Sequence, residues 1–190
     1  SPTFELYRNK MPDSSVYSNK PSTNVYLANY TVMGNNDFFG DSQHYLRFGI
    51  NYIFKSYAQN VKSAVYVSTA ISRDLEPMSI EMLRMKDNWI STAVNWDTKY
   101  PTYSKESTTQ ISTPGRYEFD ITEFVKLSIQ DDEWNTEVYG LAMTAVEGSK
   151  GAKAIATSDN TFYQPYIRID FYDLPWTFER IYEINSDSRS

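Results

Sequence analysis

Two tryptophans, Trp89 and Trp96, stand seven residues apart in DNWISTAVNWDTKYP (87–101), a stretch otherwise small, polar and closed by proline. An indole in such a setting does one of two things. Exposed, it offers a flat π face to the C–H side of a sugar ring while nearby amides and carboxylates take the hydroxyls; buried, it fills a core. Four further positions set aromatics among turn-forming residues and are the ligand-binding candidates. They are Tyr100 and Tyr103 flanking Pro101, Trp134 with Asn135, and Tyr163 between Phe162 and Gln164.

Other chemistry is sparse. NNDFFGD (35–41) gathers Asn35, Asn36, Asp37 and Asp41, hard oxygen donors for which calcium is the fitting cation. The spacing is not that of an EF-hand, and an ordinary polar turn uses the same residue types. Glycoside hydrolysis needs two carboxylates facing each other across about 5 to 9 Å, and nothing among the 24 acidic residues selects such a pair. With no cysteine there is no thiolate nucleophile and no Cys-ligated zinc. The single histidine, His44, makes a Ser-His-Asp triad or a multi-histidine metal site hard to assemble; at the start of a strand it reads as a polar edge residue. The seven glycines form no phosphate-cradling loop. The reading is non-catalytic, with no cofactor required and calcium the one metal with candidate ligands.

The elements that must position these residues are strands. Apolar residues alternate with period two in YTVM (30–33), HYLRFGI (44–50), SAVYVSTAI (63–71), RYEFDI (116–121) and YIRIDFY (166–172), where Ile167, Ile169 and Phe171 share one face. Gly, Asn and Asp punctuate them in MGNND, FFGD, TPGR, EGSKG and TSDN. Sixteen Tyr and ten Phe, with frequent Thr and Val, suit half-buried pleated surfaces. The fold class is all-β: an antiparallel β-sandwich of jelly-roll type with one short helix. That helix falls in DITEFVKLSIQDDEW (120–134), where Asp120 and Glu123 form a capping box ahead of Phe124, Val125 and Ile129, and it plugs one end of the sandwich. The expected organisation is an N-terminal segment (1–12), the sandwich (13–173) and a tail (174–190).

A formal charge of −6 argues against a nucleic-acid partner, because phosphate binding needs clustered Lys and Arg. No run approaches the roughly 18 apolar residues of a membrane span, so no membrane insertion is expected. The start, SPTFELYRNK, lacks the apolar core of a signal peptide and, opening on Ser, reads as a processed or excised piece.

Several segments recur in a familiar order: VYSNKPSTN, HYLRFGI, KSAVYVSTAI, DNWISTAVNWDTKYP, RYEFDITEFV, YGLAMTA and ATSDN before YQPYIRIDFYD. In this order the chain resembles the DNRLRE domains, which are related to the family 96 carbohydrate-binding modules of bacterial surface and secreted proteins. The resemblance covers about 13–173. It departs at LRFGI, where Gly49 takes a place usually acidic, and the six letters of the DNRLRE name are absent. The resemblance implies an extracellular or particle-borne module that binds a polysaccharide or cell-surface glycan. The competing reading is a structural domain of a fibre, spore coat or phage tail, held to neighbouring subunits, for which the tyrosines and the apolar tail residues Trp176, Phe178, Ile181 and Tyr182 speak. Within this frame Trp89, Trp96 and Asp120 read as structural. Trp96 alternates with Val94 on one strand face and points into the core, while Trp89 covers an end of the sandwich.

Overall fold

The computed structural model describes residues 2–7, 11–50, 52–71, 76–130 and 139–175, apart from the side chains at 52, 53, 103 and 104. In chain order the strands are β1 (Thr3–Tyr7), β2 (Asp13–Tyr17), β3 (Lys20–Val25), β4 (Tyr30–Asn35), β5 (Ser42–Leu46), β6 (Val61–Ala70), β7 (Met78–Met85), β8 (Thr102–Ile111), β9 (Gly115–Asp120), β10 (Leu141–Ala145), β11 (Gly151–Ala156) and β12 (Tyr166–Phe171). They form two six-stranded sheets. The first runs β1-β12-β6-β11-β4, with β9 also on β6; the second runs β3-β2-β5-β10-β7-β8. All the pairings are antiparallel. The sheet therefore begins at Thr3, inside the segment expected to precede the sandwich, because Phe4 and Leu6 pair with Ile169 and Ile167 and are buried beside them.

The period-two pattern does its expected work in β12. Ile167, Ile169 and Phe171 enter the core between the sheets, where they meet Leu46, Ile80, Met82 and Leu141 of the facing sheet. Arg168 and Asp170 take the outer face, and Arg168 meets Glu118 at 2.8 Å.

A second core lies outside this one. Residues 86–101 cross the outer face of the second sheet, and their Trp89 and Val94 pack with Val16, Tyr45, Met85 and Ala142 of the sheet into a buried cluster. For this reason β2 is buried along its whole length: one face meets the other sheet and the other meets this cover. Asn24 pins the cover to β3, its side-chain amide donating to the carbonyls of Ser91 at 2.8 Å and Val94 at 2.6 Å. Gly140 sits at φ +114, where a Cβ would stand 2.5 Å from the Leu46 carbonyl and 3.3 Å from Trp89 Nε1, so the cover can close only over a glycine.

Helical structure is richer than expected. The predicted helix is α1 (Thr122–Gln130), with Phe124, Val125 and Ile129 buried. Its start differs from a capping box. Asp120 Oδ1 accepts from Thr122 N at 2.9 Å and from the Thr122 hydroxyl at 2.6 Å, and that hydroxyl accepts from Ala64 N at 3.0 Å. Glu123 instead faces solvent beside Lys126. The expectation of a single helix is corrected by a 3₁₀ segment at Tyr52–Asn60, kinked at Tyr57, which packs against α1. With three residues per turn and a kink at Tyr57, its apolar residues make no stripe of period 3.6, so it escapes a periodicity search. Phe54 and Ala58, four apart and buried, are its only signature among the described side chains.

His44 is also not where the edge reading put it. It lies on β5 between β2 and β10, 2% exposed, because residues after the NNDFFGD turn enter mid-sheet rather than at a margin.

Candidate functional site

A cleft of about 510 Å³ opens where β4 ends and β5 begins, beside the last residues of β10 and the turn into β11. Asn35, Asp41, Glu147, Ser149 and Lys150 supply its polar walls, and Trp96 supplies the aromatic one. The local sequence makes this wall rigid. Residues 94–98 form a turn and not the expected strand: Thr98 N donates to Asn95 Oδ1 at 3.0 Å, Asn95 N donates back to Thr98 Oγ1 at 3.1 Å, and Asp97 N reaches Pro21 O at 3.2 Å. Trp96 is carried on that turn half-buried, its lower part against the second core and Lys99 Nζ 3.7 Å from its ring. Lys99 does not line the cleft, so the ammonium braces the indole from outside it.

The two tryptophans thus exchange the places expected for them. Trp89 is 1% exposed, donates its indole N–H to the Tyr139 carbonyl at 2.7 Å and lies under the Arg47 guanidinium at 5.1 Å. Trp96 is the one that reaches a cavity. Alternation with Val94 failed as a guide because it presupposes a strand, and a turn resets the side-chain direction.

The opposite rim is equally braced. Asn35 donates to Asp41 Oδ1 at 2.7 Å, Asp41 N donates to Ser18 Oγ at 2.8 Å, and Ser149 closes the β10–β11 turn on Val146 O at 2.6 Å. Within the same turn Asn36 Oδ1 accepts the N–H groups of Phe38 and Phe39, and Asn19 donates to the backbone carbonyl of Asp37. The residues singled out as calcium donors thus make a hydrogen-bonded turn, from which Asn35 and Asp41 face the cleft. Among the described residues no three His, Asp or Glu side chains converge.

The other candidates are dispersed. Tyr100 is half-buried against the second core beside Trp96, with its backbone bonded to the Tyr45 hydroxyl. Tyr163 lies elsewhere, on the loop before β12 over the first sheet. The side chain of Tyr103 and residues Trp134 and Asn135 lie outside the described residues. Glu147, Ser149 and Lys150 were missed by sequence reasoning, although EGSKG was visible as a turn; polar turn residues look alike until the fold sets one beside an aromatic.

Ser15, His44 and Asp13 do come together. Ser15 Oγ lies 2.8 Å from His44 Nδ1 and donates to Thr31 Oγ1 at 2.8 Å, and His44 Nε2 lies 3.4 Å from Asp13 Oδ2. All three are 5% exposed or less, and none lines the cleft. The trio knits β2, β5 and β4 together in the interior, and Asp13 Oδ2 also accepts Ser158 N at 2.9 Å.

A two-sheet antiparallel sandwich carrying an aromatic and carboxylate cleft on braced loops has the build of a ligand-binding module. The chain belongs to carbohydrate-binding module family 96, whose model matches residues 5–170. No curated protein matches the chain.

Proposed function

We propose that the chain is a non-catalytic module, acting outside the cell, that takes a segment of polysaccharide in the Trp96 cleft. The observation that carries this reading is the exposed part of Trp96, held by the Asn95–Thr98 turn across from Asn35, Asp41 and Glu147. A pyranose ring would lay its C–H face on the indole, while the carboxylates and amide accept and donate to its hydroxyls. Asp41, on this reading, serves hydroxyls rather than a cation. Because the turns are preformed and the cleft is open, binding gains about 4 to 7 kcal/mol, a dissociation constant from about millimolar to several micromolar.

The test is affinity electrophoresis against a soluble β-glucan, xylan, galactomannan and polyuronate. Retardation of the wild type by at least one, lost on Trp96→Ala and reduced on Asp41→Ala, supports the reading. If Trp96→Ala migrates like the wild type in every gel, the cleft is not the site. A wild type blind to all glycans, with a molar mass of several subunits, favours assembly instead.

A further inference from the structure

The most exposed large apolar side chain among the described residues is Phe162, at 83%, and the loop that displays it is among the best moored. Thr157, Ser158 and Asn160 are all buried. Thr157 N and Asn160 Nδ2 donate to Asn29 O at 3.0 and 3.1 Å, Ser158 Oγ donates to Met11 O at 2.9 Å, and Asn160 Oδ1 accepts the N–H groups of Phe162 at 3.1 Å and Tyr163 at 2.7 Å. A loose loop would fold its phenyl ring onto the protein. This one holds the ring out in water, edge-on to Tyr163 at 4.6 Å.

Beneath the loop lies a cleft of about 300 Å³ on the outer face of the first sheet. Its floor is Tyr166, stacked on Tyr7 at 4.7 Å with the Arg116 guanidinium 5.8 Å from the Tyr166 ring centre. Arg116 makes no ion pair among the described residues, whereas Arg168 two positions further along the same strand face as Tyr166 is held by Glu118 at 2.8 Å. A planar guanidinium fork with open donors beside the Tyr163 ring, edged by a displayed phenyl ring, suits the vicinal hydroxyls and C–H face of a sugar. The volume is at the small end for ligand sites and fits a short stretch of chain.

We infer that Phe162, Tyr163 and Arg116, set over the buried Tyr166, form a second glycan platform, so that one module holds two stretches of polysaccharide at once. The inference rests on the proposed function for the ligand class only. The two clefts share no residue: one is built at the ends of β4, β5 and β10, the other on β1, β6, β9 and β12. Two weak sites on one rigid body would bind a long chain, or two neighbouring chains, far better than either site alone.

The experiment takes the polysaccharide that retards the full chain, cleaves it to hexasaccharides, and titrates these calorimetrically into wild type, Trp96→Ala, the double variant Phe162→Ala/Arg116→Ala, and all three changes together. The expected result is two hexasaccharides per wild-type chain, one for Trp96→Ala, one for the double variant and none for the triple, with binding of the intact polymer at least tenfold weaker in either partial variant. Phe162 and Arg116 are exposed, so the double variant should melt as the wild type does. One hexasaccharide in the wild type, undisturbed by the double variant and lost in Trp96→Ala, overturns the second platform and leaves the Trp96 cleft standing. One hexasaccharide lost only in the double variant leaves this platform as the site and overturns the Trp96 cleft. No heat with any hexasaccharide and no retardation by any polymer overturns both.

Discussion

Trp89 fills the second core, lies tilted against Tyr45 at 5.6 Å and donates its indole N–H to a backbone carbonyl. Trp89→Ala removes the ring and leaves the Tyr139 carbonyl without that donor, so a loss of about 3 to 5 kcal/mol is expected in chemical denaturation. Trp96→Ala should cost less, under about 2 kcal/mol, because part of its ring already faces water in the folded protein. Equal losses for the two would refute this division of labour. That one of these rings is core and one is not follows from chemistry visible in the sequence: NWDT carries an Asn and a Thr at the spacing that closes a turn on itself. Alternation has no force across such a turn, because the turn resets the direction of the side chains. His44 was illegible for a different reason. A lone polar residue on a strand is exposed by default, and only the pairing of β5 between β2 and β10 brings Ser15 and Asp13 to it. Ser15→Ala removes the hydroxyl that joins His44 to Thr31 and is expected to cost about 1 to 3 kcal/mol, read from the shift in urea midpoint.

At the scale of elements, Thr122 ties the start of α1 to β6 through its hydroxyl and to β9 through Asp120. Thr122→Val keeps the shape and loses those bonds, with an expected cost of about 1 to 2 kcal/mol. Thr122→Ser should recover most of it. The helix was legible because its apolar period changes from two to nearly four over a few residues; the 3₁₀ segment was not, since three residues per turn and a kink leave no stripe. Between β7 and β8, burial pushes the Glu106 carboxyl above its usual range, against a smaller opposing pull from Arg84, with Glu123 and Asp120 adding to the rise. A carboxyl raised in the folded state keeps its proton longer than in the unfolded chain. Its contribution is present below the unfolded pKa and is lost as pH rises through the folded one. Glu106→Gln should therefore match the wild type near pH 3 and gain at most about 1 kcal/mol at pH 7, measured as a difference in melting temperature. A gain independent of pH would show that packing, and not charge, is responsible.

Over the whole molecule, the sandwich, its antiparallel pairing and its family were legible, because those rest on period, turn chemistry and the order of many short segments. The two-core build was not, since it depends on residues 86–101 lying back over a sheet, and no local pattern marks a loop as a cover. The build has a consequence for alkaline stability. Tyr45 lies in the second core and Tyr66 in the first, and burial is the main cause raising both phenols, with Asp13 adding to the rise at Tyr66. Tyr7, at the surface edge, is pushed up to about 12 by burial and by Glu5. A tyrosine raised in the folded state is protonated there while the unfolded chain has already ionised. Its stability is therefore intact below about pH 10 and falls as pH rises beyond the unfolded value. Tyr45 and Tyr66 each steepen that fall by about 1.4 kcal/mol per pH unit, and exposed Tyr7 adds less. Urea unfolding at pH 8, 10, 10.5 and 11 should show a plateau and then a steep decline, with tyrosinate absorbance rising at the same urea concentration as the loss of β circular dichroism. Tyr66→Phe should lower stability at pH 8 but flatten the decline, as should Tyr45→Phe, and the two flattenings should add because the cores are separate. Tyrosinate absorbance that titrates fully at pH 10.5 while the sheets remain folded would show that these rings are open to solvent, and the second core with them.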